Sequence, residues 1–214
     1  MNREFTKQQL YQQQLQERVK PFYFKQVVAD KVMDMTDFLA QIPETAYRDN
    51  SQSYVDENGI KQINYRSCEI FVPDKSSIFY HAVKNVINDV NNEHYQYDLS
   101  DKYDIQILKY RKGGQYEWHV DYGICWHPGL DRKLSISIQL TNESQYEGGE
   151  LEIKNWKGDD MTSPKRLGSA IVFDSKVTHR AKPVTEGERI VLVGWASGPK
   201  LRWWNVNLKK ILND

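Results

Sequence analysis

Near residue 100 the spacing of apolar side chains changes from three or four residues to two, and this change limits the fold to helices followed by sheet. Beyond it, Tyr103, Ile105 and Ile107 share one side of an extended segment. Leu134, Ile136, Ile138 and Leu140 alternate with Ser135, Ser137 and Gln139 in another. Further strands are predicted over 150–153, 169–173, 177–184 and 189–196, punctuated by Gly148-Gly149, Ser163-Pro164 and Glu186-Gly187. Ahead of them, Leu10, Leu15 and Val19 lie roughly on one face of a Gln-rich segment ended by Pro21. Val28, Val32, Met35, Leu39 and Ile42 repeat at helical spacing before Pro43. Phe79, Val83, Val86, Ile87 and Val90 form a single stripe that Ser76 or Ser77 can cap. The expected architecture is mainly β, a closed or sandwiched antiparallel sheet with helices covering one outer face.

At 214 residues, with no Pro/Gly/Ser linker, the chain is read as one domain: a helical region over 1–100, a β unit over 101–200 and a tail over 201–214. The 29 Lys+Arg balance the 29 Asp+Glu, so no global field gathers nucleic acid or anionic membrane. No run of 18 apolar residues occurs, and the N-terminal residues lack the apolar centre of a signal peptide, which predicts a cytoplasmic protein and no membrane partner. Cys68 and Cys125 are too few and too far apart for a disulfide framework or zinc knuckle.

The residues that bear chemistry begin with His119 and Asp121. In an extended strand positions i and i+2 face the same way, so an imidazole and a carboxylate can reach one ion. Alone, such a pair arises often by chance on an exposed strand. A second histidine, His179, lies on a later segment, and Arg189 opens the apolar run Ile190, Val191, Leu192, Val193. Two histidines and one carboxylate make the facial triad of non-haem Fe(II) oxygenases. An arginine leading into a buried strand is costly unless an anion pairs with it. Hairpin geometry across 185–188 would set His179 and Arg189 on antiparallel neighbours about 10–15 Å apart, a span that a small dicarboxylic acid could bridge.

Four stretches in order carry a resemblance: Tyr110-Arg111-Lys112-Gly113-Gly114-Gln115-Tyr116-Glu117-Trp118-His119-Val120-Asp121; Leu140-Thr141-Asn142 with Tyr146-Glu147-Gly148-Gly149-Glu150-Leu151; His179-Arg180-Ala181-Lys182-Pro183-Val184; and Gly187-Glu188-Arg189-Ile190. Over residues 103–199 the chain resembles the 2-oxoglutarate and Fe(II)-dependent oxygenases, in their prolyl 4-hydroxylase-like branch. The resemblance implies a double-stranded β-helix, or jelly roll, with helices packed on the outer sheet. It implies iron held by His119, Asp121 and His179, and 2-oxoglutarate whose distal carboxylate pairs with Arg189 and reaches the hydroxyl of Tyr110. O2 is then the second cosubstrate, with ascorbate the reductant that some relatives need. The implied reaction converts 2-oxoglutarate to succinate while a C–H bond is hydroxylated. Relatives that transfer halide lack the carboxylate matched by Asp121.

On the substrate side, Tyr116 resembles a tyrosine of the prolyl hydroxylases, although strict alternation would turn it away from His119. Arg180, expected to face solvent, and Trp195, expected to close the barrel, are further substrate candidates. His127 lies in an insertion, 122–133, read as a lid. His81 and His94 are read as ordinary helix-face residues, the Trp203-Trp204 pair as further barrel-closing aromatics, and Lys109-Arg111-Lys112, Lys165-Arg166 and Lys209-Lys210 as solvated faces. The expected substrate is a protein or peptide side chain, with proline leading. The alternatives are the same chemistry on a small molecule or nucleic acid base, and a jelly roll with no reaction. The nucleic acid reading is weak because Trp195 stands where demethylating relatives carry a second arginine.

Overall fold

The computed structural model describes residues 22–55, 62–123, 125–155 and 157–200. The expected helix around Leu10–Val19, Trp203-Trp204, Lys209-Lys210 and the tail lie outside the described residues. In chain order the elements are β1 (Phe22–Gln26), α1 (Ala29–Leu39), β2 (Arg48–Asp49), β3 (Gln52–Val55), β4 (Gln62–Ser67), β5 (Glu69–Phe71) and α2 (Ile78–Val90). There follow β6 (Tyr103–Tyr110), β7 (Gln115–His119), β8 (Leu130–Gln139), β9 (Tyr146–Gly148), β10 (Leu151–Lys154) and β11 (Asp160–Thr162). The last four are β12 (Ser169–Asp174), β13 (His179–Ala181), β14 (Val184–Gly187) and β15 (Arg189–Pro199).

Among the described residues the strands form two main antiparallel sheets, one of seven strands ordered β1-β12-β8-β15-β6-β5-β2 and one of six ordered β11-β10-β13-β7-β4-β3. A β14-β9 ribbon lies beside them. This is the jelly-roll layering expected from the alternating half of the sequence. Both faces of the seven-stranded sheet are in use. On the outer face Ile105 and Ile107 of β6, Leu134, Ile136 and Ile138 of β8, and Leu192 and Ala196 of β15 meet Phe79, Val83, Ile87 and Val90 of α2. Burying each large apolar side chain contributes about 1.5–3 kcal/mol, which explains why the α2 stripe seats where it does. On the inner face the alternate residues, Leu108 and Tyr110, Ser137, and Val191, Val193 and Trp195, line a cavity facing the six-stranded sheet.

The ends of α2 are set locally. The Ser77 hydroxyl accepts from the Tyr80 backbone N–H at 3.3 Å, the cap expected from the sequence. At the other end a π turn over Asn91–Tyr95 stops at Gln96, whose φ of 55° is left-handed. The Asn91 side chain accepts from the Tyr97 N–H and donates to its carbonyl, fixing the chain's exit toward β6.

Two expectations need correction. The region before residue 100 is not simply helical: α1 and α2 are present, but β1 to β5 extend the sheets. These strands are short and placed toward sheet edges, so their pairing depends on distant partners and leaves little alternation to read. The strand expected over 177–184 is two strands. Its chain leaves the six-stranded sheet at Lys182-Pro183, where Pro183 has no N–H to give a ladder, and β14 pairs instead with β9. His179 and Arg189 are therefore on opposite sheets, not on hairpin neighbours. No helix of the described residues is long and apolar enough to cross a membrane.

Gly194 in β15 permits the close seat of α2. A methyl group there would lie 2.6 Å from Val83 Cγ1 and 3.2 Å from the Asp104 carbonyl oxygen. Gly194→Ala is expected to lower stability by about 1–3 kcal/mol by overpacking, measured as a fall in the urea midpoint at unchanged slope. An unchanged midpoint would show that the helix can be displaced without cost.

Candidate active site

The site is assembled on the six-stranded sheet and completed by the seven-stranded one. His119 ends β7 and His179 begins β13, paired directly across the ladder. Asp121 follows two residues beyond His119, its backbone N–H bonded to the Ser175 carbonyl at 3.0 Å. His119 Nε2 lies 3.9 Å from one Asp121 carboxylate oxygen and His179 Nε2 3.6 Å from the other. The three candidate ligand atoms all fall within 4.8 Å of one another.

Each imidazole is oriented from behind. His119 Nδ1 is 2.7 Å from the Glu117 carbonyl and His179 Nδ1 is 3.0 Å from that of Val177. A carbonyl only accepts, so Nδ1 carries the proton and the Nε2 lone pair is directed at the centre of the triad. Burial, then the neighbouring His179, holds the His119 imidazole well below its ordinary pKa, in the neutral form a metal needs. For Asp121 burial alone would raise the carboxyl. His179, His119 and hydrogen bonds from Trp195 and Ser135 outweigh it and hold it below the usual carboxylate range. Two imidazoles and one carboxylate are a donor set that fits Fe(II) and leaves positions for other ligands.

These residues open into a cavity of about 460 Å³ that also contains Tyr110, Tyr116, Arg189 and Trp195. Arg189 is 3% exposed. Its guanidinium donates to Gln139 Oε1 at 3.2 Å and to the Tyr146 hydroxyl, and lies 5.6 Å from the Tyr110 ring. The Gln139 amide also donates to the Tyr146 hydroxyl. Among the described residues Arg189 has no carboxylate partner, and its buried Nε has no hydrogen-bond partner. A buried guanidinium held only by neutral groups is a receptor for an anion, and the distal carboxylate of 2-oxoglutarate fits it.

Tyr116 enters the site through an irregularity. His119 pairs with His179 but Tyr116 pairs with Ala181, so three steps on β7 oppose two on β13. This bulge puts Tyr116 on the His119 face, its ring stacked 3.5 Å from the imidazole at 17°. Trp195 acts on the site through its indole N–H to Asp121, as well as lining the cavity. Arg180 does not join the group. It neighbours His179 in β13, so it points to the other face, paired with Glu152 at 2.7 Å over the Trp118 ring. His127 is 3.2 Å from Asp104 and is not among the ligands. His94 stacks on Tyr23 at 3.7 Å. The segment read as a lid is shorter than expected, because β8 starts at Leu130. Trp126, 77% exposed, stands in what remains and borders the cavity.

Lys109 departs from the expected solvated face, whereas Arg111 is exposed as expected. Lys109 is 3% exposed and 2.7 Å from Glu44, and Arg111 joins Glu44, Glu69 and Glu188, tying β6 to preceding and following loops. Not foreseen as site residues were Tyr65, Arg66 and Arg132 of the cavity wall, and Gln139, which accepts from Arg189. Gln139 stands on the polar side of β8, where its alternation with Ile138 and Leu140 was the available signal. Tyr65 and Arg66 come from β4, whose pairing with β7 has none. Arg132 is hidden by a second bulge, described below.

Fold and site together give a jelly roll whose cavity joins a His/Asp/His donor set with a buried arginine that has no carboxylate partner among the described residues. Residues 105–197 match the model of the 2OG-Fe(II) oxygenase superfamily. Similar proteins include a PKHD-type hydroxylase of Gloeothece citriformis, 37% identical over 87 residues, which are 41% of this chain and 39% of that one. Another, from Alteromonas mediterranea, is 36% identical over 91 residues, 41% of this chain and 40% of that one. The matches thus span about two fifths of the length of these relatives. Among solved structures, a Pseudomonas putida prolyl-4-hydroxylase superposes with a TM-score of 0.65 at 20% identity, covering 84% of this chain and 93% of that chain. A prolyl hydroxylase of Trichoplax adhaerens, crystallised with a hypoxia inducible factor peptide fragment, gives 0.59 at 16% identity over 90% and 93%. At these identities the structures share the fold.

The Trp195–Asp121 hydrogen bond should steady the metal ligand. Trp195→Phe, which keeps the ring and removes the N–H, is expected to weaken divalent-metal affinity by roughly 10-fold to 100-fold, read by competition with a chelator. Unchanged affinity would reduce Trp195 to a wall of the cavity.

Proposed function

We propose that this protein is an Fe(II)- and 2-oxoglutarate-dependent dioxygenase that hydroxylates a C–H bond. The proposed substrate is a protein or peptide side chain, with proline as the first residue to test. The observation that carries this reading is the convergence, in one cavity, of the His119–Asp121–His179 donor set with Arg189, a buried guanidinium lacking a carboxylate partner. Bound there, iron with 2-oxoglutarate and O2 supplies the oxidant, and the cosubstrate leaves as succinate and CO2.

The chain's own residues bind, orient and exclude water. Backbone carbonyls behind His119 and His179 fix both rings, so the donor set is formed before metal arrives. Gln139 and Tyr146 hold the Arg189 fork at the far side of the cavity, so a dicarboxylate anchored there presents its other end toward the triad. Tyr116 and Phe173 pack the His119 and His179 rings and shield the metal side from water. A peptide substrate is supported by the likeness to prolyl hydroxylases, one of them crystallised with a peptide. The cavity is lined by Asn50, Tyr65 and Trp126 as well, which would meet a bound chain.

Arg189→Met keeps the apolar stem and removes the fork. Loss of a charge-assisted bidentate contact costs roughly 2–4 kcal/mol, which corresponds to about 30-fold to 1000-fold in affinity. Calorimetric titration of 2-oxoglutarate into the Zn(II)-loaded protein is expected to show that loss with metal affinity unchanged. The Fe(II)-loaded wild type should release succinate when given a prolyl peptide. Equal 2-oxoglutarate affinity in both proteins would remove the cosubstrate assignment.

A further inference from the structure

The cavity contains more positive charge than metal and cosubstrate can use. Its charged lining residues are Arg66, Arg132, Arg189 and Asp121. A divalent cation and a dicarboxylate cancel each other, so a fully loaded centre would keep an excess of two positive charges. Arg66 is held by neutral groups: its Nε donates to Cys68 Sγ at 3.1 Å, and the guanidinium lies 4.6 Å from the Tyr116 ring centre. Arg132 has less.

Arg132 stands on β8, where Leu134, Ile136 and Ile138 face α2. Alternation would send Arg132 to the same apolar face. The ladder with β15 prevents this, because Leu134 pairs with Ala196 and Arg132 with Ser197, so two steps on β8 oppose one on β15. The bulge reverses the side-chain direction and delivers Arg132 to the cavity. There it is 5% exposed, its guanidinium carbon 3.9 Å from the Trp195 ring centre. Its buried Nε has no hydrogen-bond partner. Two carboxylates act on its charge without forming an ion pair with it: Asp121 lies between the two histidines, and Asp104 meets His127 through Oδ1 while its buried Oδ2 has no hydrogen-bond partner. Leaving a buried guanidinium without an anion costs several kcal/mol, so such a group in a cavity is normally completed by a ligand.

We infer that Arg132, stacked on Trp195 beside the metal ligands, is a receptor for a carboxylate of the substrate, so that the protein selects a substrate bearing an anionic group next to the carbon it oxidises. This rests on the oxygenase reading only for the word substrate, since the anion site itself needs no turnover. A guanidinium held over an indole ring keeps N–H groups free, and its planar fork takes a carboxylate through paired N–H groups. The carboxylate can belong to a free acid of amino-acid size or to a peptide, as an acidic side chain or a C-terminus.

The minimal probe is acetate. The full-length protein is loaded with Zn(II) and 2-oxoglutarate, so that Arg189 is occupied and no turnover occurs. Acetate or neutral acetamide is then titrated at constant ionic strength, with the arginine Nε–H resonances followed by NMR. The Arg132 resonance, assigned by its absence in Arg132→Lys, is expected to shift saturably with acetate and not with acetamide. No saturable shift, an equal response to acetamide, or a response confined to Arg66 or Arg189 overturns the proposal.

Succinate release by the iron-loaded protein is then compared across matched pairs. N-acetyl amino acids are set against their amides, and amidated peptides containing Asp or Glu against their Asn or Gln counterparts. The acid of an active pair should be favoured at least tenfold in kcat/KM, and Arg132→Met should bring that ratio near one. Which set responds identifies the source of the carboxylate. A saturating acetate shift with no succinate from any pair would leave the anion site standing and remove the oxygenase reading. Active pairs without preference for the acid would do the reverse.

Discussion

The structure is organised around one largely buried carboxylate. Asp121 is buried between two sheets, where an isolated negative charge is expensive. What makes it tolerable is a partner from each direction: His119 and His179 on the six-stranded sheet, and Trp195 and Ser135 on the seven-stranded one. The imidazoles are in turn held by backbone carbonyls, and Ser135 shares its hydroxyl with Ser175 at 2.9 Å. Burial therefore stiffens the centre, because each polar group in this network loses a hydrogen bond if its neighbour moves. The same burial keeps the His119 imidazole neutral, the state in which it can ligate.

This arrangement requires a sheet that is apolar on one face and polar on the other while being covered on both. The seven-stranded sheet meets that requirement because β8 alternates strictly, Leu134, Ile136 and Ile138 toward α2 and Ser135, Ser137 and Gln139 toward the cavity. Without α2 the outer face would be wet and the sheet would have no reason to keep its curvature over the site. The region before residue 100 thus does more than cover. Through β4 it lengthens the sheet that carries the histidines and brings Tyr65 and Arg66 to the cavity.

Alternation made most of this legible from sequence, and the failures occur where alternation breaks. The metal ligands, Arg189, the capped α2 stripe and the jelly roll could be read because each depends on spacing within one element or on an ordered motif. Alternation could not place Arg132, and it pointed Tyr116 away from the site although the resemblance named it, since a bulge beside each shifts the parity of its strand by one, and a bulge depends on pairing with a distant strand. Arg180 obeys alternation and, as that reading expected, faces away from its neighbour His179. The hairpin expected between His179 and Arg189 failed because sequence proximity suggests pairing, whereas Pro183 diverts the chain to β9 and the two residues are returned to opposite sheets. Lys109 was read as solvated because its partner, Glu44, is far away in sequence.

That separation of His179 from Arg189 has a consequence for binding. Had both residues been on one hairpin, a dicarboxylate joining them would have stiffened a single turn. On opposite sheets, the same ligand would link the metal ligands of one layer to a guanidinium of the other, across a cavity whose walls include Leu108, Phe173, Val191 and Val193. Its binding energy then resists separation of the layers, the motion by which a jelly roll loses its core. Since the unfolded chain offers no such pair of contacts, the ligand's contribution grows as RT ln(1 + [L]/Kd), about 2.7 kcal/mol at a hundred times Kd. A protein of this design has its least favourable electrostatics when empty. The unpaired Nε atoms of Arg132 and Arg189 mark where that cost resides.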